Sequence, residues 1–177
     1  MTEILPHRIA VLCYLFNDAG QLLLLHRRKP PNQDLYSPIG GKLDQPSGES
    51  PTSCALREIH EESGLDLEVA DLHLTGLVSE AGYAGEAHWL MFLYEVTRPV
   101  EIQRAEIAEG RLEWHDASAI ADLELPPTDR HVIWPCFWRY RGRFFAVHID
   151  CGDSSIKWRL EQPVSDVGES GCVRIGR

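Results

Sequence analysis

Three glutamates, Glu58, Glu61 and Glu62, stand three and four residues apart in Arg57-Glu58-Ile59-His60-Glu61-Glu62. On a helix, at about 100° per residue, they fall within roughly a 100° arc, with Ala55, Leu56 and Ile59 toward the other side. Like charges at these spacings repel, and Glu61 and Glu62 lie in the last turn, where the helix dipole is already negative; each effect costs only some tenths of a kcal/mol. A solvated acidic face is the plain alternative reading of such a string. Its company argues against that alternative: Gly40-Gly41 and Lys42 lie upstream, Glu49 precedes the helix, Arg57 adjoins Glu58, and Gly64 follows the acids. A hard divalent cation takes oxygen ligands, and Mg²⁺ in particular is held by a few carboxylates together with water and substrate phosphates. That combination of ligands fits this cluster.

Glu49, seven residues, and then Arg57-Glu58-Ile59-His60-Glu61-Glu62-Ser63-Gly64-Leu65 resembles the signature of the Nudix hydrolases, G-x5-E-x7-R-E-U-x-E-E-x-G-U with U aliphatic, and fits its second part at every specified position. One departure lies upstream: seven residues, Lys42 to Gly48, separate Gly41 from Glu49 where the pattern has five. Two extra residues near Gln45-Pro46-Ser47-Gly48 bulge a loop and leave the spacing within the helix unchanged. The flanks are similar too, with Leu35-Tyr36-Ser37-Pro38-Ile39 leading into the glycines and Glu109-Gly110-Arg111-Leu112-Glu113-Trp114 placed before a helix, so the resemblance spans roughly residues 7 to 135.

The resemblance implies a Nudix-like α/β/α sandwich with a mixed sheet, and attack by water on a nucleoside diphosphate linked to another group. Mg²⁺ or Mn²⁺ would neutralise phosphate charge and lower the pKa of a bound water. It implies Glu58, Glu61 and Glu62 as metal ligands, Glu58 also as first candidate for general base, and Arg57 as the group that orients the carboxylates, including Glu49, through its planar fork. Many members take a further acid from a later loop; Glu106 is preferred here, with Glu109, Glu80 and Glu86 as rivals. Lys42, Arg27 and Arg28 are the candidates for phosphate contact, a solvated strand end being their alternative reading. Tyr36, Tyr83 and Trp89 could stack on a base, although aromatics are more often core.

The first functional reading is a pyrophosphohydrolase that converts modified nucleoside triphosphates, such as the oxidised purine 8-oxo-dGTP, to monophosphate and pyrophosphate. The second is cleavage of ADP-ribose, NADH or a nucleotide sugar, and the third a nucleotide sensor of the same fold that binds without turnover. Intact acids throughout the signature disfavour the sensor. His60 falls opposite the glutamates, and His26, His88 and His115 lack metal-ligand spacing. Neither G-x-S-x-G nor a P-loop is present, which removes the usual cues for serine hydrolases and nucleotide kinases.

The elements that must position these groups read as α/β or α+β within one domain, 1–161, with a core at about 7–135, a terminal hairpin at 143–160 and a polar tail at 162–177. The carboxylate helix is bounded from Pro51 to Ser63 by a capping Ser50, a proline at its first position and Gly64 at its stop. Ile9 to Phe16 and Gln21 to Arg28 read as two buried strands joined as a hairpin across Asn17-Asp18-Ala19-Gly20. Leu67 to Ser79, Ala87 to Thr97 and Arg111 to Trp114 read as strands, and Asp116 to Leu123 and Thr128 to about Trp134 as short helices. Arg143 to Asp150 and Ile156 to Leu160 flank the Cys151-to-Ser155 turn, and the tail from Gln162 is expected to be weakly ordered. The hairpin is apolar enough to rest on the domain or on a second copy as a homodimer.

Composition sets the outer limits. The 177 residues are 44% hydrophobic and 25% charged, which suits a globular domain and excludes a disordered tail or a coiled coil. With 27 acidic against 17 basic side chains the formal charge is -10, which disfavours nucleic-acid polymers and anionic membranes but not a small nucleotide whose phosphates reach the protein through a cation. Five cysteines without a C-x-x-C pair fit reduced thiols. The N-terminus lacks a secretory pattern and no apolar run approaches about 18 residues, so a cytoplasmic, non-spanning protein is expected.

Overall fold

The computed structural model describes residues 4–30, 32–152, 155–162 and 170–174. In chain order its elements are β1 (His7–Tyr14), β2 (Leu22–Arg27), β3 (Tyr36–Ser37), α1 (Pro51–Ser63), β4 (Leu72–Tyr83), β5 (Ala87–Val96), β6 (Glu106–Ile107), β7 (Gly110–His115), α2 (Trp134–Tyr140), β8 (Phe145–Asp150), β9 (Ser155–Gln162) and β10 (Ser170–Arg174). Short 3-10 turns lie at Gln45–Ser47, Val69–Asp71 and Ala117–Asp122. Mixed sheet and helices make the class α+β, as expected. Among the described residues no helix is long and apolar enough to cross a membrane. The chain divides into two compact units, and β1, β4 and β5 each run on from one into the other.

The unit formed by Val11–Leu74 and Tyr94–Pro126 holds α1 and an antiparallel sheet ordered β3-β2-β7-β6. Leu22, Leu23, Leu24 and Leu25 are fully buried, so this sheet is apolar on both faces at β2, each such side chain contributing about 1.5–3 kcal/mol by burial. The expected hairpin between the first two strands proves to be only a local turn. Asn17 N donates to Gln21 O at 3.0 Å and Leu23 N to Leu15 O at 2.9 Å, with one isolated bridge, Phe16↔Leu22. Beyond it β2 joins β3 and β7, while β1 belongs to the other sheet. Strands this apolar can each be buried on both faces, and two separate sheets satisfy that better than one hairpin.

Helix α1 forms as the sequence dictates. Ser50 Oγ accepts from Ser53 N at 3.1 Å, Pro51 opens the first turn, and Gly64, at φ 78°, donates its N–H back to His60 O. Cys54, Ala55, Ile59 and Ser63 are its buried positions together with one acid, Glu62. Upstream, Val11 N donates to Gly41 O at 2.9 Å and Cys13 N to Ile39 O at 2.8 Å, which fastens the glycine turn to β1.

The unit formed by Met1–Ala10, Thr75–Leu93 and Pro127–Arg177 holds α2 and the other sheet, ordered β1-β5-β4-β8-β9-β10. β4 and β8 run parallel, from Gly76↔Phe145 to Ala81↔Asp150, and β8 pairs antiparallel with β9. The helix expected to end near Trp134 extends to Tyr140. A π-helical turn, Asp129–Ile133, precedes it, and Trp134 N bonds to Asp129 O, five residues back. Pro135 then falls in the first turn of α2, where its missing N–H is tolerated. The tail also departs from expectation: β10 pairs with β9 from Ser170↔Arg159 to Arg174↔Ser155. Gly171 makes this possible, since the Trp158 indole lies where a Cβ would stand. The rest of that tail, 163–169 and 175–177, and Asp153-Ser154 of the hairpin turn lie outside the described residues. All five cysteines are free thiols.

Glu80, one of the rival loop acids, lies buried on β4 in this unit, 4% exposed, accepting from Thr128 and from Cys151 Sγ at 3.9 Å. Burial pushes its carboxyl from an ordinary 4.5 up to about 7, and burial with repulsion from Glu80 pushes Asp129 up to about 8. A carboxyl raised on folding keeps its proton longer in the native state, so the stability it permits is full below about pH 4.5 and declines as pH rises through 7. Glu80→Gln is therefore expected to raise Tm at about pH 8 and to change it little near pH 5, as thermal melts at the two pH values would show. An equal shift at both would exclude this cause.

Candidate functional site

Arg57 is the centre of the site. Its Nε and Nη2 form a two-pronged pair with Glu49 Oε1 and Oε2 at 2.8 and 2.9 Å. Its Nη1 donates to Glu58 Oε1 at 2.7 Å and to Glu61 Oε2 at 3.3 Å, and Nη2 also reaches Lys42 O at 3.3 Å. One guanidinium thus fixes an acid ahead of the helix, two acids on it, and the backbone after the glycine turn. Asp44 N–H adds a bond to Glu49 Oε2 at 2.8 Å, and the Arg57 guanidinium with this amide holds the Glu49 carboxyl down at about 2.

The three helix acids occupy different surroundings. Glu61 is 57% exposed, whereas the Glu58 side chain is 13% exposed and Glu62 is buried. Glu58 lies against the bare Cα of Gly41, where a Cβ would collide with its carboxylate. Burial raises the Glu58 pKa, Arg57 opposes the rise, and Glu61 and Glu49 add to it. Glu62 Oε2 accepts from Gly40 N at 3.0 Å. Burial pushes Glu62 up to about 8, opposed by that amide and by Arg27, and reinforced by repulsion from Glu58 and Glu109. Gly40 must be glycine: its φ is 144°, and a side chain would strike Val11 O. The two glycines let a backbone N–H reach one acid and a Cα support another.

A hard divalent cation suits this donor set. Buried carboxylates that repel one another, with one arginine and one amide in direct contact, carry negative charge that a cation would relieve. Among the described residues no group of three or more His, Cys, Asp or Glu side chains is arranged to hold an ion by itself. Carboxylates on one helix face match instead the open coordination of Mg²⁺, completed by water and substrate phosphate. Cys54, whose Sγ is 3.5 Å from Arg57 Nη2, is a buried thiol pushed up to about 12 by burial and by Glu49.

The other candidates are placed less uniformly. Arg27 is half-buried and acts favourably on Glu62, and Lys42 is exposed beside the glycine turn. Arg28 pairs with Glu106 at 2.6 Å on the surface, and Arg28 N donates to Glu109 O at 2.8 Å. The preferred loop acid, Glu106, pairs with Arg28, and the charge of Glu109 acts on Glu62. Glu86 is exposed in the turn after β4, its N–H donating to Tyr83 O. Tyr36 stacks on His26 with ring centroids 4.5 Å apart and donates to Glu113 at 3.0 Å, and Arg8 lies over Trp89. His60 is exposed and pairs with Asp66.

A family model described as NUDIX domain matches residues 6–134. The Nudix hydrolase YvcI of Bacillus subtilis (strain 168) is 30% identical over 124 residues, 68% of this chain and 73% of that protein. Among solved structures, the MutT protein of Bacillus halodurans superposes with a TM-score of 0.68 at 21% identity, over 88% of this chain and 99% of its own. The MutT NUDIX hydrolase of Burkholderia pseudomallei is 26% identical, with a TM-score of 0.53 over 68% and 87% of the two chains. The NUDIX domain of Shewanella oneidensis NrtR, complexed with ADP ribose, has a TM-score of 0.61 at 14% identity, over 77% and 88%.

Proposed function

This chain belongs to the Nudix family and is a Nudix-type pyrophosphohydrolase of nucleoside diphosphate-linked substrates, and from that premise we infer that it hydrolyses a nucleoside triphosphate, such as an oxidised purine dNTP, to monophosphate and pyrophosphate. The observation that carries the reading is the Arg57 fork, which holds Glu49 and Glu58 together beside the buried Glu62. Glu58, Glu61 and Glu62 would hold Mg²⁺ or Mn²⁺, which when bound offsets phosphate charge and acidifies a water. Glu58, its proton affinity raised by burial, takes the proton as water adds to phosphorus and the anhydride P–O bond breaks. Arg57 keeps the carboxylates in place, and Arg27, Arg28 and Lys42 meet the polyphosphate. Three cations and a metal suit a triphosphate chain better than a single phosphate. Glu109, whose charge acts on Glu62, takes the part of the loop acid.

Incubation with Mg²⁺ or Mn²⁺ and a panel of 8-oxo-dGTP, dGTP, ADP-ribose, NADH and diadenosine polyphosphates, with products resolved by chromatography, tests the substrate. Preferred cleavage of ADP-ribose or NADH would replace the triphosphate reading, and absence of all turnover would favour a sensor. For the loop acid, Glu109→Gln is expected to lower kcat about 10²-fold and Glu106→Gln less than about fivefold, in steady-state assays at saturating metal. The reverse order would return the role to Glu106.

A further inference from the structure

We propose that Arg104 is a positioning residue, whose guanidinium, seated on the C-terminal turn of α1, holds the segment carrying Glu109 against the carboxylate helix. The inference rests on the hydrolase reading of that helix. Between β5 and β7 the segment has one regular element, the two-residue β6, whose pairing with β7 at Glu106↔Arg111 and Ile107↔Gly110 leaves Glu109 in the turn between them, so the course of the segment ahead of β6 depends on individual contacts. At its ends those contacts are backbone bonds, Val100 N to Phe16 O, Leu112 N to Ala105 O and Arg28 N to Glu109 O, at 2.9, 2.7 and 2.8 Å. Toward α1 it sends Arg104, whose Nη1 donates to Glu61 O at 3.4 Å.

Two properties of the helix end favour a guanidinium there. The last carbonyls of a helix lack intrahelical partners and carry the negative end of its dipole, so a cation is attracted to them. Gly64 supplies the room: a Cβ built on it would stand 3.3 Å from Arg104 Nη2 and 3.5 Å from Nε. The glycine that stops α1 in the left-handed region thus also leaves its Cα open to the arginine.

The test is a double-mutant cycle with metal titration. Arg104→Ala is expected to raise the Mn²⁺ concentration for half-maximal activity about tenfold and to lower kcat about tenfold, with nucleotide KM changed less than about twofold. In a Glu109→Gln background the same replacement is expected to cost almost nothing further, and Arg104→Lys to recover part of the loss by restoring a cation at the carbonyls. A full additional loss in the Glu109→Gln background, or an unchanged Mn²⁺ requirement in Arg104→Ala, would overturn the proposal. Amide hydrogen exchange decides it independently of turnover: 97–109 is expected to exchange faster in Arg104→Ala while α1 keeps its protection, and unchanged exchange there refutes the tether. A wild-type protein that cleaves no nucleotide would sink the hydrolase reading and leave the exchange result to stand on its own.

Discussion

Glu62→Gln is expected to cut kcat by about 10³-fold at saturating Mg²⁺ and, in EDTA at about pH 8, to raise Tm. Both effects come from one placement. Glu62 is 6% exposed, and its partner in the fold is the Gly40 amide, which a glutamine oxygen can equally accept from. Burial and the charges of Glu58 and Glu109 lift its pKa from 4.5 to about 8. Since the folded protein holds this proton more tightly than the unfolded chain, the metal-free stability falls between about pH 4.5 and 8, and glutamine removes that loss. In activity glutamine fails, because a neutral amide binds a hard cation poorly. Melts with and without Mn²⁺ complete the test: the ion is expected to stabilise the wild type more than the variant. A variant that turns over normally, or melts lower in EDTA at pH 8, would remove Glu62 from the proposed metal site.

Why Glu62 rather than Glu61 bears this strain is not legible in the helical spacing. A wheel puts Glu58, Glu61 and Glu62 on one arc, and the caps Ser50, Pro51 and Gly64 locate the helix because those signals are local. The separation of the three acids is not local. It depends on β1 fastening Gly41 and Ile39 by backbone bonds, which brings Gly40 N–H over Glu62 and Gly41 Cα under Glu58, while Glu61 remains in solvent. The proposed exchange of Glu106 for Glu109 as loop acid has the same character. Glu106 and Glu109 are three residues apart in an irregular segment, and β6, pairing Glu106↔Arg111 and Ile107↔Gly110, holds the first beside Arg28. Sequence shows the strands at Ile9 and Gln21 through their apolar runs, but not that they part into different sheets, since pairing is decided by partners far along the chain. β10 carries no apolar alternation at all and is a strand because β9 offers an edge and Gly171 admits Trp158.

Arg57→Ala is expected to lower kcat about 10²-fold or more and to make the protein unfold at higher pH on acidification. In the wild type the guanidinium divides itself among Glu49, Glu58 and Glu61, so alanine leaves three acids facing one another and frees the Lys42 carbonyl as well. Glu49 carries the pH dependence. Arg57 and the Asp44 amide hold its carboxyl at about 2 against an ordinary 4.5, so the stability it contributes is full above 4.5 and disappears as pH falls through 2. Without Arg57 most of that depression goes, Glu49 protonates nearer its ordinary value, and the contribution is gone before pH 2 is approached. Circular dichroism followed from about pH 6 to pH 2 is expected to show the variant's transition displaced upward, with steady-state kinetics at neutral pH showing the loss of turnover. Arg57→Lys separates charge from shape: a lysine restores one cation but cannot bond Glu49 through two nitrogens and Glu58 through a third group at once, so it should recover more of the acid stability than of kcat. An alanine variant with the wild-type acid transition and turnover would mean that the carboxylates are held by the backbone around them, and Arg57 would lose its place at the centre of the site.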